Sequence, residues 1–436
     1  MAVTAIVKAW DRLVGGLAFD PESRITTFEY GREWIESGLE IAPIKMPLAQ
    51  GKFQFPALNW DTYRGLPAVF SDSLPDDFGN ALINAWLARE GRDIDSFSPV
   101  ERLLYAGNRG MGALEYHPAI ARAKFDARQN LELDSLIEMA QRILDERGHY
   151  AGNLKDSREE ALTQLLQVGT SPGGARPKAA IAINKTRTQL RSGQVDAPPG
   201  FEHYLLKFDG VVEHRRDHQN FGDPQGYGRM EYAYYLMARD CEIQMSPSEL
   251  LEDGERAHFM TRRFDRAGNF KIHVQTLCAM DHADYKMPGA YSYEQLLSVA
   301  RLLKLPRKDA TELFRRMVFN VIARNQDDHS KNFSFMFDNE ANRWVLAPAY
   351  DVVFSYKKDS PWVHNHQMTI NGKRDGFTRD DLMVLANTVT NFKREAVQII
   401  DRTLDVVSNW PVYSQAAHVA EDFSKRIRNL HRLDLN

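Results

Sequence analysis

Asn325-Gln326-Asp327-Asp328-His329-Ser330-Lys331-Asn332-Phe333 lies between two segments of different periodicity. Before it, Leu313, Phe314, Met317, Val318 and Val321 form an apolar stripe at helical spacing. After it comes an apolar run that reads as a strand. Asp327 and Asn332 stand five residues apart with Lys331 between them, and a second acid, Asp351, follows the next predicted strand, Arg343 to Ala347. A base, an amide ligand and a second acid in this order are what phosphoryl transfer with a divalent metal requires.

The rest of the chain bounds that reading. With 436 residues it has room for two or three domains. Hydrophobic residues make up 43% and charged residues 26%, the balance of a soluble globular protein. The formal net charge of -4 gives no bulk attraction to nucleic acid or anionic membrane. Cys241 and Cys278 sit alone in apolar contexts and read as reduced core residues of a cytosolic protein. The first apolar run is interrupted by Lys8, Asp11 and Arg12, so no signal peptide is expected, and no run reaches the length of a membrane span.

In chain order, Thr4 to Leu17 predicts a hairpin turning at Asp11 and Arg12, and Ile25 to Tyr30 another strand. A helix is expected from about Asn80 to Arg89, capped by Ser73 or Asp76, and a capping box with Pro99 opens a short helix at Ser98. Gly107, Gly110 and Gly112 read as loop punctuation. Leu131 to Arg147 is a predicted helix, and Ser157 to Val168 a second.

Ser171-Pro172-Gly173-Gly174-Ala175-Arg176-Pro177-Lys178 then leads into the strand Ala179 to Ile183. A glycine loop entering a strand exposes backbone N–H groups, and Lys178 adds a positive charge, which suits a triphosphate. A plain Pro/Gly turn is the alternative, and the spacing is not that of a Walker loop. Lys207 ends the strand that starts at His203, where a kinase holds its α- and β-phosphates; a solvated strand lysine is the alternative. Glu231 is expected in the first turn of a helix to Cys241, either orienting Lys207 or decorating the helix dipole. His258 to Arg266 suits a hinge strand beside an adenine. Asp309 to Glu312 has the form of a capping box for the helix that delivers Asp327. His364-Asn365-His366 lacks further histidine or cysteine at ligand spacing, so a zinc site is set aside.

Glycine loop, strand lysine, helix glutamate, hinge strand, Asp-x-His-x-Lys-Asn loop and metal acid follow the order of a kinase lobe pair. On these residues the sequence resembles the HipA family of bacterial toxin–antitoxin serine/threonine kinases. The resemblance is carried by Phe28 to Tyr30, Gly65 to Asp76, Ser171 to Lys178, Arg263 to Arg266, Asp327 to Asn332 and Tyr350-Asp351. It implies an α+β, two-lobed protein-kinase-like (PI3/4-kinase-like) fold. Residues 1–125 would form an N-terminal subdomain rich in strands, 126–266 the rest of the ATP-binding lobe, and 267–436 an all-α C-terminal lobe.

The resemblance further implies ATP and Mg²⁺. Asp327 would be the catalytic base, with Asp328 as rival; His329 would brace the loop and Lys331 steady the phosphoryl group. Asn332 and Asp351 would hold the metal. Gly173, Gly174, Ala175, Arg176, Lys178, Lys207 and Glu231 would serve the phosphates. Arg262 and Phe264 would contact adenine through their backbone, because Arg262 stands where relatives can carry an acid. Ser171 would be an autophosphorylation site, its loop stiffened by Pro172 and Pro177. The implied partners are a HipB-like DNA-binding antitoxin, operator DNA through that antitoxin, and a translation protein such as glutamyl-tRNA synthetase as substrate. A small-molecule phosphotransferase and a non-catalytic co-repressor remain as other readings.

Overall fold

The computed structural model describes residues 2–120, 131–145, 176–212 and 222–436. The chain divides into two compact units. One comprises residues 1–42, 46–227 and 251–274; the other comprises 43–45, 228–250 and 275–436.

The first unit opens with strands β1 (Val3–Ala9) and β2 (Arg12–Asp20), paired antiparallel. Ala9 pairs with Arg12, so the reversal falls on Trp10 and Asp11, one residue earlier than the sequence indicated. Both have left-handed backbone (φ 51° and 61°), the conformation of a two-residue type I′ turn whose twist matches the strands. β3 (Ile25–Tyr30), β4 (Lys52–Phe53) and β5 (Glu115–His117) complete a sheet in the order β4-β3-β2-β1-β5. Alternation along β1 to β3 turns Val7, Leu17 and Phe28 into a core shared with Trp34, Phe70, Leu103 and Tyr116.

A second sheet in the same unit contains β6 (Lys178–Asn184), β7 (Leu190–Ser192), β8 (Phe201–Lys207), β11 (Ser248–Asp253) and β12 (Arg256–Arg262), in the order β11-β12-β8-β6-β7. A short ladder, β9 (Val211–Val212) with β10 (Gly222–Asp223), falls between β8 and β11 in sequence, and another, β13 (Arg266–Ala267) with β14 (Phe270–Lys271), follows β12. The continuous apolar run of β6 signals a covered strand. Its cover comes from the helices Asp77–Arg89 and Leu133–Asp145, whose Leu82, Ile83, Trp86, Leu136, Ile137 and Ile143 share its core. Asp76, rather than Ser73, caps the first of these by accepting from the Gly79 N–H at 2.7 Å. The capping box at Ser98 forms as expected, with both reciprocal hydrogen bonds to Glu101. The helix expected at 157–168 lies outside the described residues.

The second unit is rich in helices but also carries a three-stranded sheet, β15 (Val274–Thr276), β16 (Ser334–Asp338) and β17 (Arg343–Leu346), which an all-α expectation for this lobe omitted. The helix Arg307–Ile322 follows Pro306, which offers no side-chain cap. Asp309 therefore sits inside the first turn, favoured by the helix dipole, and makes no capping box. Glu312 instead accepts from Arg316 Nε (2.8 Å), Arg315 Nη1 (3.0 Å) and the Gln244 N–H (3.0 Å). The helix Tyr227–Asp240 begins four residues before Glu231, which moves that acid out of the first turn. Cys241 and Cys278 are buried free thiols, and burial pushes the Cys241 thiol up to about 12. Among the described residues no helix is long and apolar enough to cross a membrane.

Candidate active site

The helix Arg307–Ile322 ends at Ala323, and Arg324, with φ of 58°, turns the chain out of it. The loop is then clamped by backbone. The Asn325 N–H returns to the Asn320 carbonyl (3.0 Å), while Ser355 N–H donates to Arg324 O (3.0 Å) and accepts back through its own carbonyl from Gln326 N–H (3.2 Å). One 3₁₀ turn, Ser330–Asn332, precedes β16.

The two adjacent acids have opposite environments. The Asp327 side chain is 43% exposed, and His329 Nε2 lies 3.8 Å from its Oδ1. The Asp328 side chain has no exposed surface. Its Oδ2 accepts from Tyr293 Oη (2.7 Å) and meets His366 Nδ1 (2.8 Å), and its Oδ1 accepts from the Gln367 N–H (2.7 Å). Burial alone would push this carboxyl up; His366, Tyr293 and Gln367 outweigh it and hold it below the usual carboxylate range. An ionised carboxylate has only lone pairs to offer, so Tyr293 Oη–H and His366 Nδ1–H are the donors.

The other predicted residues of this loop and Asp351 lie in the same unit. Asn332 Nδ2 donates to the Asp327 carbonyl at 2.7 Å, which closes the loop and leaves the amide oxygen as a ligand atom. Lys331 Nζ stands 4.9 Å from the centre of the Tyr285 ring, and the His329 ring lies 5.4 Å from the same tyrosine. Tyr350 Oη donates to the Lys331 carbonyl (2.5 Å) and meets Ser334 Oγ (2.5 Å). Asp351, next in sequence, holds a left-handed backbone (φ 52°), and its carbonyl accepts from Asn325 Nδ2 at 3.4 Å. The available donors are hard oxygens, an amide and a carboxylate, which suit Mg²⁺. Among the described residues no three acidic, histidine or cysteine side chains cluster. Mg²⁺ that serves phosphate transfer takes one or two carboxylates and completes its shell with water and phosphate oxygens, so this set fits it. Glu231 is buried in the same unit.

In the first unit, Lys207 and Lys178 are buried at the ends of β8 and β6, where they are cross-strand partners. Lys207 Nζ lies 5.9 Å from the Phe259 ring centre. Lys178 Nζ is 3.2 Å from Asp76 Oδ2, so its charge is already engaged by the acid that caps the helix Asp77–Arg89. Arg176 lies 6.0 Å from the Tyr227 ring. Arg262 is half exposed and pairs with Glu202 at 3.2 Å; Phe264 is half-buried. Ser171, Gly173, Gly174 and Ala175 fall outside the described residues.

Between these positions the motif Arg263-Phe264-Asp265-Arg266 builds a buried ion cluster. Arg263 grips Asp265 with two hydrogen bonds (2.9 and 2.8 Å) and also reaches the Gly193 carbonyl (2.7 Å). Asp265 accepts further from Arg266 Nη1 (2.6 Å) and the Gly112 N–H (2.9 Å), and Arg266 Nη2 donates to Gly110 O (3.1 Å). Burial opposes the Asp265 charge, but the two guanidiniums outweigh it and hold the carboxyl far below its usual range. Gly110 and Gly112 are thus docking points for this cluster, a role that loop punctuation did not convey.

Sequence reading missed Tyr293, Asn320 and His366. His366 was weighed only as half of a zinc pair; its ring in fact packs 5.3 Å from Phe377 and meets Asp328, while His364 stacks on Tyr356. His366 stands between Asn365 and Gln367, so no local pattern marked it for that role.

Comparison with known proteins adds the lineage. A family model described as HipA-like C-terminal domain matches residues 170–410, more than half of the chain, and one described as HipA N-terminal domain matches residues 5–117. The chain belongs to the HipA family. A Sinorhizobium fredii protein named "Putative kinase Y4mE" is 24% identical over 371 residues, covering 81% of this chain and 78% of that protein. A Haemophilus influenzae protein named "Putative kinase" is 27% identical over 229 residues, covering 48% of this chain and 60% of that protein. A chain from the Shewanella oneidensis MR-1 complex of HipA, HipB and operator DNA matches with a TM-score of 0.66 at 16% identity, covering 98% of this HipA-family chain and 95% of its own. The fold class expected from the sequence is therefore the one observed.

Proposed function

We propose that this HipA-family protein is an ATP-dependent serine/threonine protein kinase, the toxin of a toxin–antitoxin pair. The observation that carries the reading is the division of labour at Asp327-Asp328: one carboxylate faces solvent beside Asn332, while its neighbour is locked by three donors. In this reading Asp327 orients the acceptor hydroxyl and takes its proton. A carboxylate is a weak base, so positioning and electrostatics carry most of the rate, as is general for phosphoryl transfer. Lys331 balances charge on the transferring group, and His329 braces the loop. Asn332 and Asp351 hold Mg²⁺, which when bound neutralises phosphate charge. Lys207, Arg176 and the loop Gly173–Ala175 hold the nucleotide phosphates, and the backbone of Arg262 and Phe264 meets adenine. Lys178 is assigned a smaller share, because Asp76 already engages it.

The Shewanella complex supports extending the partnership to this chain: a HipB-like antitoxin that carries the operator contacts. The protein substrate is a translation factor of the glutamyl-tRNA synthetase kind. Phosphate on Ser171, close to -2 in charge, would repel the nucleotide phosphates and switch the enzyme off.

The test is phosphoproteomics after induction together with transfer of labelled phosphate by purified protein. Label is expected on protein serine or threonine, including Ser171, and Asp327→Ala should lower transfer by roughly 100-fold or more. Equal toxicity of wild type and Asp327→Ala would defeat the kinase reading. Label on small molecules alone would favour a metabolite phosphotransferase.

A further inference from the structure

We propose that His366 is a positioning residue of the active loop, acting through Asp328 and a buried polar chain that also reaches Asp351. The inference rests on the kinase reading for its kinetic consequence, though not for its structural one. Asp328 is the hub. Its three donors come from two distant parts of the sequence, the start of the helix Tyr293–Leu302 and the segment at 366–367. A buried carboxylate without partners is strongly unfavourable, so each donor removed leaves the loop with a charge to hide. The loop would relieve that charge by moving, and Asp327 is the adjacent residue.

The chain runs onward. Tyr293 Oη, while donating to Asp328, accepts from Asn320 Nδ2 at 3.1 Å. Asn320 Oδ1 accepts from Asn325 Nδ2 at 2.9 Å, and that same amide reaches the Asp351 carbonyl at 3.4 Å. His366, Asp328, Tyr293, Asn320 and Asn325 are all buried, in the second unit. One continuous network therefore fixes both Asn325, two residues before Asp327, and the backbone that carries Asp351. Such low-dielectric networks rigidify when every link is present and loosen as a unit when one is cut. The His366 ring also packs in a T-shaped contact with Phe377, which limits its rotation away from Asp328. Nothing in the network needs to touch substrate.

The variants are His366→Leu, which deletes the donor; His366→Asn, whose side-chain amide donates from nearly the place of Nδ1; and Tyr293→Phe. Thr403→Val is the control: Thr403 is fully buried in the same unit, and among the described residues its hydroxyl bonds within the helix Lys393–Ser408 and to Cys241. Hydrogen exchange and phosphotransfer kinetics are measured on the full chain. Exchange in peptides covering 325–333 and 349–353 should rise in His366→Leu and Tyr293→Phe, return toward wild type in His366→Asn, and stay unchanged in Thr403→Val. In the kinetic arm kcat should fall about 100-fold in His366→Leu with KM for ATP held, as misplacement without lost binding predicts. Unchanged exchange at both segments, or an equal kcat loss in Thr403→Val, would overturn the proposal. A wild type without any phosphotransfer would sink the kinase reading alone, and the exchange arm would still decide the network.

Discussion

Asp76 serves two tasks at one position, capping the helix Asp77–Arg89 and pairing with Lys178 on β6. Burial pushes its carboxyl up to about 6, against the opposing pull of Lys178 and the Gly79 N–H. A folded-state value above the unfolded one means that the native state binds the proton more tightly. Its contribution to stability is therefore present at low pH and declines as pH rises from the ordinary carboxylate value to about 6, by at most about 1.4 kcal/mol per pH unit. Buried ion-paired acids such as Asp265 and Asp328 have the opposite sign, losing their stabilisation as pH falls. The difference between wild type and Asp76→Asn isolates the first effect. Urea midpoints should show wild type losing ground to Asp76→Asn across that window and the gap becoming constant above it; a constant gap throughout would contradict the assignment. At this scale the sequence could single out Asp327, Lys331 and Asn332 as candidates, because a short loop carries its chemistry in consecutive residues. It concealed the partners of Lys178 and His366, because those are distant in sequence.

Elements were legible where the signal is local. The alternation of Ile25–Tyr30 and the capping box at Ser98 name their own strand and helix. The misleading box at Asp309 had the right letters, yet Pro306 had already started the helix, with its fixed φ suited to that position. Gly193 shows what pattern reading cannot supply. It follows β7, and a Cβ there would lie 2.3 Å from the Ile181 carbonyl oxygen and 2.7 Å from the Ile181 nitrogen, all backbone of β6. Its own N–H donates to Ala180 O (2.8 Å), and its carbonyl accepts from Arg263. The edge of this sheet and the Arg263–Asp265 ion cluster therefore close on one glycine. Gly193→Ala has no flexible neighbour to displace, so a loss of about 3 kcal/mol is expected, at the upper end of ordinary overpacking. Chemical denaturation measures it, and a loss matching that of an exposed glycine such as Gly16, where a Cβ meets nothing within 4 Å, would show the contact to be soft.

Across the whole molecule, the division into two units falls inside the helix Tyr227–Asp240 and inside the strand Ser248–Asp253, where no linker composition marks it. That is why order of motifs was a better guide to the architecture than a search for boundaries. The global charge is the other property that belongs to no single element. The chain has 55 Lys and Arg against 59 Asp and Glu, a formal net charge of -4. Non-specific DNA affinity comes from phosphates neutralised and counterions released, and it falls steeply with salt in proportion to their number. A molecule of net negative charge has little of this to draw on, so in the complex proposed above operator binding should be supplied by the antitoxin. Fluorescence anisotropy on operator duplex should accordingly give negligible binding for this chain alone near 0.15 M salt, about the physiological ionic strength. Adding the HipB-like partner should produce binding whose salt slope equals that of the partner alone, with this chain raising affinity through assembly of the complex and not through new phosphate contacts. A steeper slope in the complex would mean that Lys and Arg of this chain meet phosphates directly, and the partition of labour between toxin and antitoxin would have to be redrawn.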